Sequence, residues 1–192
     1  MAKYFAEEFA YNCRYESSLG CIKLLEATQY KYINVVLEYD ETPILAALWA
    51  DLPRVAKLLY DNKCDLTVVD RFGFNVLISA SRSNYKFVKI LLENKKIIDI
   101  NAKNTKNQSA LDIALYYDKL DIALLLAKYG IDINYNISII NTPACIQFKR
   151  IMYNKYKKLV IAEIDDPLSV IYRSFRTTYA VQLVNMICDF II

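Results

Sequence analysis

The chain has no histidine among its 192 residues, and its only glycines are Gly20, Gly73 and Gly130. Without histidine, Ser-His and Cys-His nucleophile pairs are excluded, and a zinc site loses a principal ligand. Three isolated glycines cannot build a glycine-rich loop that cradles phosphate. The five cysteines, Cys13, Cys21, Cys64, Cys145 and Cys188, are scattered and odd in number, with no C-x-x-C pair. That pattern argues for reduced thiols in an intracellular, cytoplasmic setting, and against a disulfide frame or a metal site. No N-terminal apolar run has the form of a signal peptide. Near the other end, Gln182, Asn185 and Asp189 interrupt a stretch already short for a membrane span, and Cys188 is misplaced for a prenylation box. Adjacent carboxylates such as Glu7-Glu8 and Asp165-Asp166 read as solvated surface or caps. No catalytic constellation, cofactor or small-molecule substrate is expected.

What the chain does have is a period. Thr42-Pro43-Ile44-Leu45-Ala46-Ala47 is echoed by Asn75-Val76-Leu77-Ile78-Ser79-Ala80 and by Ser109-Ala110-Leu111-Asp112-Ile113-Ala114, with Thr142-Pro143-Ala144-Cys145 a weaker fourth copy. Their first residues fall at steps of 33, 34 and 33. Leu58-Leu59, Leu91-Leu92 and Leu125-Leu126 keep the same step, as do Asp65, Asp99 and Asp132. These two sets place one extra residue between Leu92 and Asp99, where a loop absorbs it easily. A period in this range marks a stacked-repeat architecture.

The unit resembles the ankyrin repeat. Leu125 to Asn134, with Tyr129-Gly130-Ile131-Asp132-Ile133-Asn134, is similar to that family's Gly-Ala-Asp-Val-Asn ending, and Thr42 to Ala47 to its Thr-Pro-Leu-His-x-Ala opening. Asp70-Arg71-Phe72-Gly73 fits the family's hairpin tip. The opening histidine is absent from every copy, and Asp51, Asn84 and Asp118 stand where the family usually places a glycine between its two helices. The resemblance covers roughly residues 37 to 142 and implies an all-α, ankyrin-type solenoid of stacked helix-turn-helix repeats with short hairpin loops.

The residues support that reading independently. Thr42-Pro43 is a helix start, with a hydroxyl to cap and a proline at the first position. Ser109 can cap with Asp112 as its capping-box partner. Ile44, Leu45, Ala47 and Leu48 give one apolar face, and Val55, Leu58 and Leu59 give that of a second helix. Ala47, Ala80 and Ala114 let neighbouring helices approach closely. Gly130 sits where a helix stops in a left-handed turn. Residues 1–36 read as a degenerate capping repeat, with helices over Ala6–Cys13 and Leu19–Glu26 and a polar face of Glu7, Glu8, Asn12, Arg14 and Glu16. Residues 37–142 hold three repeats. Residues 143–192 hold a degenerate last repeat and a C-terminal helical cap, with a new helix starting at Asp165-Asp166-Pro167. Two readings of the apolar end Phe190-Ile191-Ile192 stay open: a docked helix that closes the core, or a tail that docks on a partner.

In ankyrin-like stacks a partner meets the hairpin tips and inner helices, which line the concave face. The resemblance therefore implies a non-catalytic interaction module, acting as adaptor, inhibitor or effector in its own cell or in a host. The positions carried over are Tyr39 and Trp49, then Arg71, Phe72, Phe74 and Arg82, then Lys106, Tyr116 and Tyr117. Glu38, Glu41 and Ser138 fall on the same face. Aromatic and arginine side chains dominate interface hot spots. A rival expectation is an architectural subunit of a large assembly, such as a ribonucleoprotein. It would be held by Lys149, Arg150, Lys155, Lys157, Lys158, Arg173 and Arg176, with Tyr153 and Tyr156 to stack on bases.

Overall fold

A helix pair with one apolar face has to bury it against a neighbour, and in this chain the neighbours are further pairs. The computed structural model describes residues 1–15, 17–94, 98–133 and 140–165. They form α1 (Ala2–Arg14), α2 (Ser18–Ala27), α3 (Pro43–Trp49), α4 (Pro53–Asp61), α5 (Val76–Ala80), α6 (Tyr85–Glu93), α7 (Ala110–Tyr116), α8 (Leu120–Lys128) and α9 (Pro143–Asp165). Helices α1, α3, α5, α7 and α9 pack in series as one layer, and α2, α4, α6 and α8 as a second. The result is an all-α solenoid, with isolated bridges Val69–Asn75 and Lys103–Ser109 at the bases of two hairpins.

One apolar cluster runs the length of the stack, from Phe5 on α1 to Met152 on α9. Leu25, Leu59, Leu91 and Leu126 recur within it, each almost fully buried, and each contributes about 2 kcal/mol through the area it removes from water. Ala47, Ala80 and Ala114 are equally buried, and their small side chains let α3, α5 and α7 meet. Cys13 and Cys21, far from any C-x-x-C spacing, come together where α1 turns into α2, with sulfurs 3.7 Å apart in the core.

The register within the second unit differs from the sequence expectation. The deepest leucines are Leu59, Leu91 and Leu126, 32 and 35 residues apart. Before α4, α6 and α8 the N-cap residues Leu52, Asn84 and Lys119 share one conformation, with φ of −102°, −104° and −101°. Asn84 is therefore equivalent to Leu52 and Lys119, not to Asp51 and Asp118. The amide N–H groups of Leu52 and Lys119 reach back five residues to Ala47 and Ala114, whereas that of Asn84 reaches back four to Ala80. Counted from the N-cap of its inner helix to that of its outer helix, the second unit is one residue shorter, Asn75 to Asn84 against Thr42 to Leu52 and Ser109 to Lys119, and it has two more residues, rather than one, between Leu91 and Asp99. Asp51 and Asp118 do take the glycine's left-handed place, with φ of 52° and 59°. Their carboxylates earn it structurally by bridging to the next unit. Asp51 accepts from the Ser83 hydroxyl at 2.7 Å, and Asp118 from the Ala144 N–H at 2.7 Å.

Two capping expectations divide. Ser109 and Asp112 form the full reciprocal box on α7. Thr42 does not cap α3: its buried hydroxyl makes no hydrogen bond. Pro43, with its pre-set φ at the first helical position, starts that helix without it. In the fourth copy Thr142 does cap, accepting from the Cys145 N–H at 3.2 Å and donating to the Leu115 carbonyl at 2.7 Å.

Helix α9 buries Ala144, Cys145, Phe148 and Met152 against the stack. It then continues to Asp165, roughly 20 Å beyond its last buried side chain at 1.5 Å per residue. Glu16, Asn134, Ser138, and residues 166–192 with Pro167, Arg173, Arg176, Cys188 and the apolar end, lie outside the described residues.

Candidate functional site

Among the described residues, three hairpin tips project between the helix pairs, and each reverses the chain within five residues. Leu37–Glu41, Asp70–Phe74 and Asn104–Gln108 are each closed by the first residue's N–H donating to the last one's carbonyl, at 2.7, 3.1 and 2.9 Å. The fourth residue of each, Asp40, Gly73 or Asn107, has φ of 60°, 80° or 60°. The Asp70 carboxylate holds its tip by accepting from the N–H groups of Phe72 and Phe74, at 2.9 and 2.8 Å. The Asn104 side-chain carbonyl does the same for Lys106 and Gln108, at 3.0 and 2.9 Å. Leu37 has no such acceptor. Its tip is correspondingly distorted, with Tyr39 also left-handed at φ 61°.

The tips are stitched to one another along the main chain. The Arg71 N–H donates to the Tyr39 carbonyl at 3.1 Å. Thr105 donates to the Phe72 carbonyl twice, from its N–H at 3.0 Å and its hydroxyl at 2.9 Å. This fixes the spacing of the side chains the tips carry. Tyr39 and Phe72 are 54% and 50% exposed, although their ring centroids lie 6.3 Å apart. The Arg71 guanidinium stands 4.9 Å from the centre of the Tyr39 ring.

A second row follows the ends of α3, α5 and α7. Phe74 is partly buried and meets Trp49 edge-on, with centroids 4.8 Å apart. The Arg82 guanidinium lies 5.1 Å from the Trp49 ring centre and 4.9 Å from that of Tyr117. Tyr117 is partly buried and touches Tyr116 edge-on at 5.2 Å, while Tyr116 is 61% exposed. Eight of the nine expected residues thus fall into two groups: Tyr39, Arg71 and Phe72 at the tips, and Trp49, Arg82, Tyr117 and Tyr116 at the helix ends, which Phe74 joins from the close of the second tip through its contact with Trp49. Lys106 is exposed at the third tip, and among the described residues its side chain joins neither group. The links between units were the part that residue-by-residue reading missed. The period carried the signal, because Tyr39 and Phe72, like Trp49 and Arg82, are one 33-residue step apart and equivalent residues of stacked units are neighbours.

Glu41 closes the first tip, and burial, with the nearby Asp70 charge second, pushes its carboxyl up to about 7. Among the described residues no group of three or more His, Cys, Asp or Glu is placed to hold a metal ion, and no helix is long and apolar enough to cross a membrane. The basic residues Lys149, Arg150, Lys155, Lys157 and Lys158 all lie on α9. At helical spacing they spread round several faces rather than forming one stripe. Lys157 covers the Tyr153 ring at 5.8 Å.

A family model described as ankyrin repeats matches residues 43–137 in three copies. The chain is also similar to spider proteins. It is 34% identical over 95 residues, 48% of this chain, to alpha-latrotoxin-Lg1a of Latrodectus geometricus. Over 43 residues, 22% of this chain, it is 46% identical to alpha-latrotoxin-Lh1a of Latrodectus hasselti. Over 73 residues, 36% of this chain, it is 33% identical to alpha-latrotoxin-Lhe1a of Latrodectus hesperus. The matched segments span only 7%, 3% and 5% of those relatives.

Proposed function

Residues 43–137 make the chain an ankyrin-repeat protein, and on that footing we propose that it is a non-catalytic module gripping a protein partner through its hairpin tips and inner helix ends. The observation that carries this reading is the pair Tyr39 and Phe72. Two half-exposed rings at adjacent tips, held in register by main-chain hydrogen bonds, form an apolar patch for which the fold itself has no use. The Trp49, Arg82 and Tyr116 row extends the same surface across three units. An intracellular setting, in the chain's own cell or one it is delivered into, is part of the proposal. Four buried cysteines among the described residues, none of them in a disulfide, support it.

Affinity capture from the native cell, followed by mass spectrometry, supplies the partner, and Phe72→Ala then tests the face. Because Phe72 is half-exposed, its removal should shift stability by less than about 0.5 kcal/mol while weakening the complex tenfold or more, about 1.4 kcal/mol. A variant that binds as tightly as the parent chain refutes the assigned face.

A further inference from the structure

Where the first tip meets the end of α1, the surface opens into a cleft of about 370 Å³. Arg14 lines it from α1, Leu37, Glu38, Tyr39 and Glu41 from the tip, and Trp49 from the end of α3. The chemistry of these walls is uneven. Two acidic residues and two aromatic ones share the cleft's lining with one basic residue. The Glu41 carboxylate is half-buried, and among the described residues it makes neither a hydrogen bond nor an ion pair. Arg14 is exposed and forms no ion pair with it, although both line the same space.

A half-buried carboxylate without a partner is costly to keep ionised, and a second cation is the group that would relieve it. The two rings suit the same guest, because aromatic faces attract ammonium and guanidinium groups. Both rings already do so within the chain, Tyr39 toward Arg71 and Trp49 toward Arg82. Neither of those arginines lines the cleft. We propose that this cleft receives a lysine or arginine side chain of the protein partner, with Glu41 and Glu38 neutralising the charge and Tyr39 and Trp49 flanking the alkyl stem and its head. The assignment rests on the partner-binding reading above and gives that partner a chemical identity: a basic residue presented beside the apolar patch of Tyr39 and Phe72.

Trp49 is the only tryptophan in the chain and reports on the cleft directly through its emission. The full chain is titrated with acetyl-Gly-Lys-Gly-amide, and with the same peptide carrying neutral Nε-acetyl-lysine. The lysine peptide should give a saturable change and bind at least about fivefold more tightly than its acetylated form. Glu41→Gln, a near-isosteric change that removes an unfavourable buried charge, should weaken the lysine peptide by about tenfold and leave the acetylated one unaffected. Lowering the pH from about 8 to about 6 should weaken only the lysine peptide, as Glu41 takes up a proton. The charged or titratable groups that line the cleft with Glu41 or act on its charge are Glu38 on its own tip, Asp70 on the next, and Cys13 and Arg14 on α1. Loss of the pH dependence in Glu41→Gln assigns it to Glu41 rather than to these.

Equal affinity for the two peptides, an unchanged Glu41→Gln, or no saturable response up to about 20 mM would each overturn the assignment. The peptides read the cleft alone, and partner capture with Phe72→Ala reads the face. A cleft that takes lysine while Phe72→Ala leaves the partner bound would sink the face and keep the cleft. The converse result would sink only the cleft.

Discussion

The Arg82 guanidinium donates a hydrogen bond to the main-chain carbonyl of Trp49 at 2.8 Å, joining the end of one inner helix to the next across a 33-residue separation. The same guanidinium lies against the Trp49 and Tyr117 rings. One side chain of the second unit therefore ties together the first and the third. Neighbouring units of a solenoid touch only each other, so such a link bears on the cooperativity of the whole stack.

Replacing Arg82 with alanine should lower stability by about 2 kcal/mol, combining one hydrogen bond from a charged donor with two partly exposed ring contacts. Arg82→Lys should recover part of this, because it keeps the charge but loses the planar fork. Urea denaturation followed by Trp49 emission measures both. If Arg82→Ala unfolds within about 0.5 kcal/mol of the parent chain, the link contributes nothing to the stack.

Gly73 and Gly130 both have left-handed backbones, with φ of 80° and 86°, yet they should respond differently to alanine. A Cβ on Gly73 would come within 2.8 Å of the Thr105 nitrogen in the next tip, whereas one on Gly130 meets nothing within 4 Å. Gly130→Ala should therefore cost only the backbone strain, about 1 kcal/mol. Gly73→Ala should cost about 2 kcal/mol or more, because the clash is with main chain that cannot rotate away. Equal losses in a thermal or urea series would contradict the close stacking of the tips.

These glycines show how far the sequence could be read. The repeat period predicted the stack, the resemblance to the ankyrin repeat predicted the tip at Asp70 to Gly73, and the conformational freedom of glycine predicted the stop at Gly130. The equivalence of Asn84 with Leu52 was hidden. A residue lost between the starts of the two helices and two gained in the following loop leave the period almost unchanged, and the cap conformation of Asn84 and its hydrogen bond to Ala80 expose the shift. The pairing of Asp51 with Ser83 was hidden for another reason: it depends on which way two side chains point between units. At the candidate site, the residue types were legible, but their division into a tip group and a helix-end group was not.

Lys63 follows α4 as Gly130 follows α8, and it holds φ at 64°. A lysine there carries strain that glycine would not. Lys63→Gly should stabilise the chain by about 0.5 kcal/mol, since relief of roughly 1 kcal/mol is partly offset by the greater freedom of glycine in the unfolded chain. Differential scanning calorimetry would detect the rise, and a fall in the melting temperature would count against the strain.

Glu41 makes the sharpest pH prediction. Burial, and then the Asp70 charge, raise its carboxyl from an ordinary value of 4.5 to about 7 in the folded chain. Between those values the folded state binds a proton that the unfolded state has released, so folding is favoured at the acidic end and loses that support as pH rises through 7. The half-exposed position and solvent screening reduce the effect to about 1 kcal/mol. Glu41→Gln removes the titration and keeps the shape. The variant should therefore match the parent chain below about pH 4.5 and exceed it increasingly up to about pH 7, with a constant advantage above that. Urea midpoints measured across this range give the curve directly. A Glu41→Gln variant less stable than the parent chain at neutral pH would mean that the carboxylate has a stabilising partner within the chain, and the case for an external cation in the cleft would fall with it.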